Sequence, residues 1–150
     1  MVNIEVNGRT VKAKDGEMLL YAIRRIGITV PTLCNMDGLK PSGTCRICVC
    51  EVEGHGALVP SCAFPVYEGM KVKTHSPRVL AARRTIIELI LADHPDDCLR
   101  CERSNTCELR KLAEEYGVRE HAYQGMKSDY PADFSSPSIE RDPHKCILCG

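Results

Sequence analysis

From Val2 to Val6 apolar and polar residues alternate, and after Asn7-Gly8 the alternation resumes through Thr10, Val11, Lys12 and Ala13. An Asn-Gly pair between two alternating runs predicts a β-hairpin. Leu19, Leu20, Ile23 and Ile26 then fall at helical spacing, with Arg24 and Arg25 outward and Gly27 as a stop. Asp15-Gly16 stands ahead of this helix and can cap it. Residues 31 to 44 read as loop, holding Cys34, Gly38, Pro41 and Gly43. Val49 to Val52 predicts a strand, residues 53 to 56 a turn, and Lys71 to Thr74 a further short strand. This opening part of the chain is a compact α+β unit.

Ser76-Pro77 marks a boundary and a helix start, because Pro is preferred at the first helical position. Val79, Leu80, Ile86, Ile87, Ile90 and Leu91 give an amphipathic helix to about Ala92, with Arg83 at its edge. Asp93-His94-Pro95 ends it, since the residue before Pro resists the helical region. A second helix runs from about Glu108 to Tyr116, with Gly117 as its cap. Residues 120 to 139 are poorly periodic and read as a wrapping loop, and Ile139 to Arg141 as a short strand. The domain reading is 1–77, 78–120 and 121–150.

Composition narrows the function classes. Twenty basic residues balance twenty acidic ones in 150 residues, with no basic run, which argues against a nucleic-acid partner. The N-terminus has no basic segment followed by an apolar core, and no stretch is apolar enough to insert in a membrane. Ten cysteines in such a chain are a disulfide framework or metal ligands. Without export they sit in a reducing compartment, where clustered cysteines point to metal.

The thiols fall into three groups and a singleton. Cys34, Cys45, Cys48 and Cys62 combine one Cys-x-x-Cys pair with two flanking thiols, as a two-iron cluster requires. Gly38 and Gly43 let backbone amides approach the cluster sulfurs. A structural zinc is the alternative, although zinc sites usually pair two knuckles. Cys50 shares strand parity with Cys48 and Val52 and reads as a core residue. His94, Cys98, Cys101 and Cys107 form the second group, able to hold a four-iron cubane or a zinc. Asp93, Asp96 or Asp97 could accept the other ring N–H of His94 and orient it. A neutral imidazole in place of a thiolate should raise the cluster's potential. His55, His75, His121 and His144 lack such neighbours and read as surface residues. Cys146 and Cys149 are a third, incomplete set, which suggests a chain cut short after the first two ligands of another cluster.

These residues resemble a known family. Cys34, then Gly43-Thr44-Cys45-Arg46-Ile47-Cys48, then Ser61-Cys62 is similar to the β-grasp [2Fe-2S] domain at the N-terminus of the complex I large iron–sulfur subunit. The same domain occurs in [FeFe]-hydrogenases and NAD-linked formate dehydrogenases. Asp93-His94-Pro95-Asp96-Asp97-Cys98-Leu99-Arg100-Cys101 followed by Cys107-Glu108-Leu109 resembles the family's small helical [4Fe-4S] domain with one His and three Cys ligands. Arg141-Asp142 and Lys145-Cys146-Ile147, with Cys149, resemble the truncated start of a bacterial-type ferredoxin domain. The resemblance implies one two-iron and one four-iron cluster on the residues just named, and a third [4Fe-4S] cluster only with further ligands. It implies an electron-transfer module of a multi-subunit NAD(P)H-linked oxidoreductase, without a complete catalytic centre. Its partners would be a flavin-bearing, NAD(P)H-oxidising subunit and other iron–sulfur subunits, in the cytoplasm or the peripheral arm of a membrane complex. The stretches 73–89 and 113–120 look most like the hydrogenase branch, with formate dehydrogenase and complex I as alternatives. A zinc-stabilised interaction module is the alternative of another class, to be told apart by colour and metal content.

Overall fold

The computed structural model describes residues 1–119, 123, 124, 127 and 129–149. The chain divides into two compact units, Met1–Arg83 and a second running from Arg84 to Cys149.

The first unit is built on a mixed five-stranded sheet. Strands β1 (Val2–Val6) and β2 (Arg9–Ala13) form the predicted hairpin, with Val2 opposite Ala13 and Val6 opposite Arg9. Its turn needs two residues at positive φ, and Asn7 (φ 50) and Gly8 (φ 82) supply them. Helix α1 (Leu19–Arg25) follows, ending at Gly27 with φ 78. Strands β3 (Val49–Val52), β4 (Val59–Pro60) and β5 (Lys71–Lys73) complete the sheet in the order β2-β1-β5-β3-β4. β1 and β5 are parallel, whereas the other pairings are antiparallel.

The period-2 pattern aims Ile4, Val6, Val11, Val52 and Val72 inward, against Leu19, Leu20 and Ile23 of α1. Burying these side chains drives the folding of this unit. The opposite face carries charge: Glu5 lies beside Lys71, and Glu51 beside Lys73.

Helix α2 spans Pro77–Ala92, and the Ser76 hydroxyl accepts the Val79 N–H at 3.3 Å, as the predicted start requires. In the second unit, helix α3 (Glu108–Glu115) buries Leu109, Leu112 and Ala113. Gly117 (φ 66) closes it: its N–H donates to Glu114 and the Val118 N–H to Ala113, at 3.1 and 2.8 Å.

Several expectations need correction. Asp15-Gly16 does not cap α1; Met18 occupies that position, with no side-chain cap bond. Leu80 is 40% exposed, outside the apolar stripe expected of α2. Residues 139–141 form no strand; there is one bridge, Asp133 to Arg141, because no neighbouring strand extends the pairing. Most importantly, Arg83 is not at a helix edge but fully buried.

Candidate metal centres

Cys34, Cys45, Cys48 and Cys62 occupy one neighbourhood of the first unit. Cys34 leaves the loop after α1, and Cys45 and Cys48 flank the turn into β3. Cys62 lies on a single 3-10 turn, Ser61–Ala63, directly after β4. The pairing of Val49 with Pro60 and Cys50 with Val59 carries that turn back to Cys48. The Cys48 carbonyl then accepts both the backbone N–H and the hydroxyl of Ser61, at 3.2 and 2.8 Å. Ser61 is completely buried. It escaped the sequence reading as a structural residue, because its partner lies 13 positions away. Ser61→Ala is expected to cost about 1 kcal/mol, the net worth of one buried hydrogen bond. A lowered urea midpoint with an unchanged slope would show it.

The thiols themselves report their proximity. Burial pushes the Cys62 thiol up to about 12, and Cys48, Cys34 and Cys45 push it in the same direction. Burial also raises Cys34, but the backbone amides of Cys45 and Thr44 and the Ser42 hydroxyl outweigh it and leave the thiol lowered. Cys45 is raised, chiefly by burial, although the Ile47 amide opposes this. The loop therefore aims N–H groups at two of the four sulfurs. Two backbone features make that possible. Gly43 has φ 65 and lies so close to the second thiol loop that an added Cβ would meet Ala63 Cβ at 3.4 Å. Arg46, between Cys45 and Cys48, is held at φ 58, a conformation that costs a non-glycine residue about 1–2 kcal/mol. Both amide atoms of Asn35, next to Cys34, are buried with no hydrogen-bond partner among the described residues. Such a group is costly to leave unmatched, and its NH2 donor suits a sulfur acceptor.

Cys50 is fully buried and packs with Cys48 and Cys62 in the core, as its parity predicts. Burial pushes its thiol up to about 11, against the pull of the Arg83 guanidinium. It is a packing thiol rather than a thiolate.

In the second unit, His94, Cys98 and Cys107 line one cavity of about 170 Å³, with Leu109 and Val118 on its apolar side. His94 follows the end of α2, and Cys107 immediately precedes α3. Cys101 does not line this cavity, although its N–H reaches the Cys98 carbonyl at 3.4 Å. The orientation expected for His94 needs correction. Its Nδ1 lies 3.2 Å from the Pro95 carbonyl rather than on an aspartate. The tautomer that donates this bond leaves Nε2 with its lone pair for a metal.

Two of the three expected carboxylates have lysine partners, Asp96 with Lys127 at 3.7 Å and Asp97 with Lys145 at 3.5 Å. Asp97 raises the Lys145 pKa, with Cys101 adding to the effect, so the residue before Cys146 faces the second thiol group. Cys146 and Cys149 follow the short turn Pro143–Lys145, and Leu148 between them has φ 51. Of the three Cys-x-x-Cys segments, Cys45–Cys48 and Cys146–Cys149 each hold one left-handed non-glycine residue, Arg46 and Leu148.

Of the remaining histidines, His55 and His75 are exposed, and His144 is half-buried and accepts the Tyr130 N–H at 3.2 Å. His121 lies outside the described residues. All ten cysteines are free thiols. Among the described residues, no three His, Cys, Asp or Glu side chains converge tightly enough for one metal ion.

Comparison with known proteins identifies the two regions. Residues 1–77 match the 2Fe-2S iron-sulfur cluster binding domain family. The chain belongs to that family. Residues 83–122 match the NADH-ubiquinone oxidoreductase-G iron-sulfur binding region. The chain thus carries a 2Fe-2S domain followed by a 4Fe-4S region, which decides between iron–sulfur and zinc.

An NADP-reducing hydrogenase subunit of Solidesulfovibrio fructosivorans is 48% identical over 99% of this chain and 26% of its own. The NADH-ubiquinone oxidoreductase 75 kDa subunit of Reclinomonas americana is 35% identical over 99% of this chain and 22% of its own. A crystal structure of an NAD+-reducing [NiFe]-hydrogenase in the H2-reduced state superposes with a TM-score of 0.91 at 30% identity, covering 99% of this chain and 63% of that one. The chain spans about a quarter or less of the curated relatives' length. The N-terminal iron–sulfur region shared by hydrogenase and complex I subunits is therefore what the 2Fe-2S domain and its companion represent. No helix among the described residues is long and apolar enough to cross a membrane.

Proposed function

We propose that this chain is an electron-transfer segment of an NAD(P)H-linked oxidoreductase. Cys34, Cys45, Cys48 and Cys62 hold its two-iron cluster, and His94, Cys98, Cys101 and Cys107 its four-iron cluster. The observation that carries this reading is the gathering of four thiols, three buried and Cys45 half-buried, with the β3–β4 pairing and the Ser61–Cys48 hydrogen bonds bringing Cys62 to Cys48 and backbone amides lowering Cys34. Thiolate ligation with amide donors to sulfur is how proteins hold such clusters and set their potentials. The clusters supply one-electron storage when bound. The protein holds the ligands, excludes water with the core around Cys48 and Cys62, and needs no acid, base or nucleophile. Cys146 and Cys149 would supply two ligands of a further [4Fe-4S] cluster only where additional ligands complete it.

The neighbouring electron partners in this reading are a flavin-bearing, NAD(P)H-oxidising subunit and other iron–sulfur subunits. The hydrogenase branch is preferred among terminal reactions, on the 48% identity to a hydrogenase subunit. Formate dehydrogenase and complex I remain the other branches of the same architecture.

Anaerobic reconstitution with iron and sulfide tests the reading. The full chain is expected to turn brown and bind about six irons, two plus four. A colourless chain that takes up zinc and no iron would overturn it.

A further inference from the structure

Arg83 is the largest completely buried side chain among the described residues. A guanidinium stays protonated at any physiological pH, so a full positive charge lies within the fold. Burying it is expensive, and a side chain of similar length without charge would pack as well or better. Stability is therefore a poor reason for an arginine here, and its surroundings suggest another.

Arg83 lies on one stripe of α2 with Val79 and Ile87, all three fully buried. Its Nη2 donates to the Val49 carbonyl at 2.8 Å, across 34 positions of sequence. The guanidinium also interacts with the Cys50 thiol. Cys50 Sγ in turn lies 3.7 Å from the Cys48 carbonyl, the oxygen that also accepts the Ser61 hydroxyl. The backbone of residues 48–50 is thus held between Ser61 and Arg83, and this backbone carries one of the four clustered thiols.

We propose that Arg83 is a positioning residue of the two-iron site, which fixes the backbone behind Cys48 and raises the cluster's reduction potential through its buried positive charge. Reduction adds one negative charge to a centre already ringed by thiolates. A fixed cation in the same low-dielectric core favours the reduced form over the oxidised one, because little solvent lies between to screen it. Burial and charge near the centre are among the terms that set iron–sulfur potentials. The inference rests on the two-iron reading of Cys34, Cys45, Cys48 and Cys62.

The test is an EPR-monitored redox titration of the full chain with both clusters loaded, the four-iron signal serving as internal reference. R83M removes the charge at similar length, and R83K keeps a charge while losing the planar fork. R83M is expected to disfavour the reduced two-iron form at least tenfold, a fall of 59 mV for one electron. The four-iron potential should stay where it is, and R83K should recover at least half of the fall. An R83M protein that loads its two-iron cluster and keeps the parental potential overturns the proposal. So does an equal shift of both clusters. If R83M takes up no two-iron cluster, R83K decides. Loading within tenfold of the parental equilibrium supports the charge; a larger fall or no loading overturns it. A parental chain without any two-iron signal would instead sink the reading on which the inference rests.

Discussion

Replacing Cys62 with alanine is expected to abolish the two-iron centre and leave the four-iron centre intact. Bound iron should fall from about six to about four per chain, and the two-iron EPR signal should vanish. The expectation rests on how Cys62 is placed. It is 1% exposed, packed in the core with Cys48 and Cys50, and so close to Cys48, Cys34 and Cys45 that each of them disfavours its ionisation. Four thiols gathered this closely cannot all ionise without a cation to compensate the repulsion between the thiolates. The substitution removes one buried sulfur and no hydrogen bond that the fold depends on. The cost in folding should therefore stay near 1–2 kcal/mol, typical of a small core truncation. Circular dichroism of the variant should match the parent, so that loss of iron is read as loss of a ligand. A C62A chain that retains the full two-iron signal would remove Cys62 from the ligand set.

How much of this was legible in the sequence differs residue by residue. The hairpin was, because Asn7-Gly8 is a local signal and the alternation on both sides agrees with it. Helices α2 and α3 were, through apolar spacing and through Ser76-Pro77 and Gly117 at their ends. Candidate ligands could be proposed from the sequence because a Cys-x-x-Cys pair such as Cys45 and Cys48 keeps two thiols within one loop.

What was hidden depends on distant chain segments meeting. β4 is two residues long and too short for any periodic signal, yet its pairing with β3 delivers Cys62 to Cys48. Arg83 has the spacing of an edge position, where a long cationic side chain normally reaches for water. Its burial follows from the Val49 carbonyl, which only the folded sheet brings within reach. The orienting partner of His94 was misread for a related reason. Three nearby aspartates suggested a carboxylate, but a backbone carbonyl on the adjacent residue is always present and needs no side-chain ordering. Lysines 127 and 145 draw Asp96 and Asp97 away from the imidazole instead.

His94 carries the other large expected effect. H94A should strip or strongly distort the four-iron cluster, seen as loss or change of its EPR signal, while the two-iron signal stays as in the parent. His94 lines the cavity with Cys98 and Cys107, and its Nδ1 lies 3.2 Å from the Pro95 carbonyl, so the tautomer that donates there would leave Nε2 open to the proposed cluster. H94C separates ligation from mere packing. A cysteine at this position can still ligate, so the cluster should load again. The thiolate adds a negative charge where the imidazole was neutral, and reduction then has to place an electron on a more anionic centre. The four-iron potential of H94C should fall by at least about 59 mV, a tenfold change in a one-electron equilibrium. Reduction of the two-iron centre, proposed to sit on Cys34, Cys45, Cys48 and Cys62, should not move with it. An H94A chain with an unaltered four-iron signal would show that the imidazole is not a ligand, whatever its place in the cavity wall.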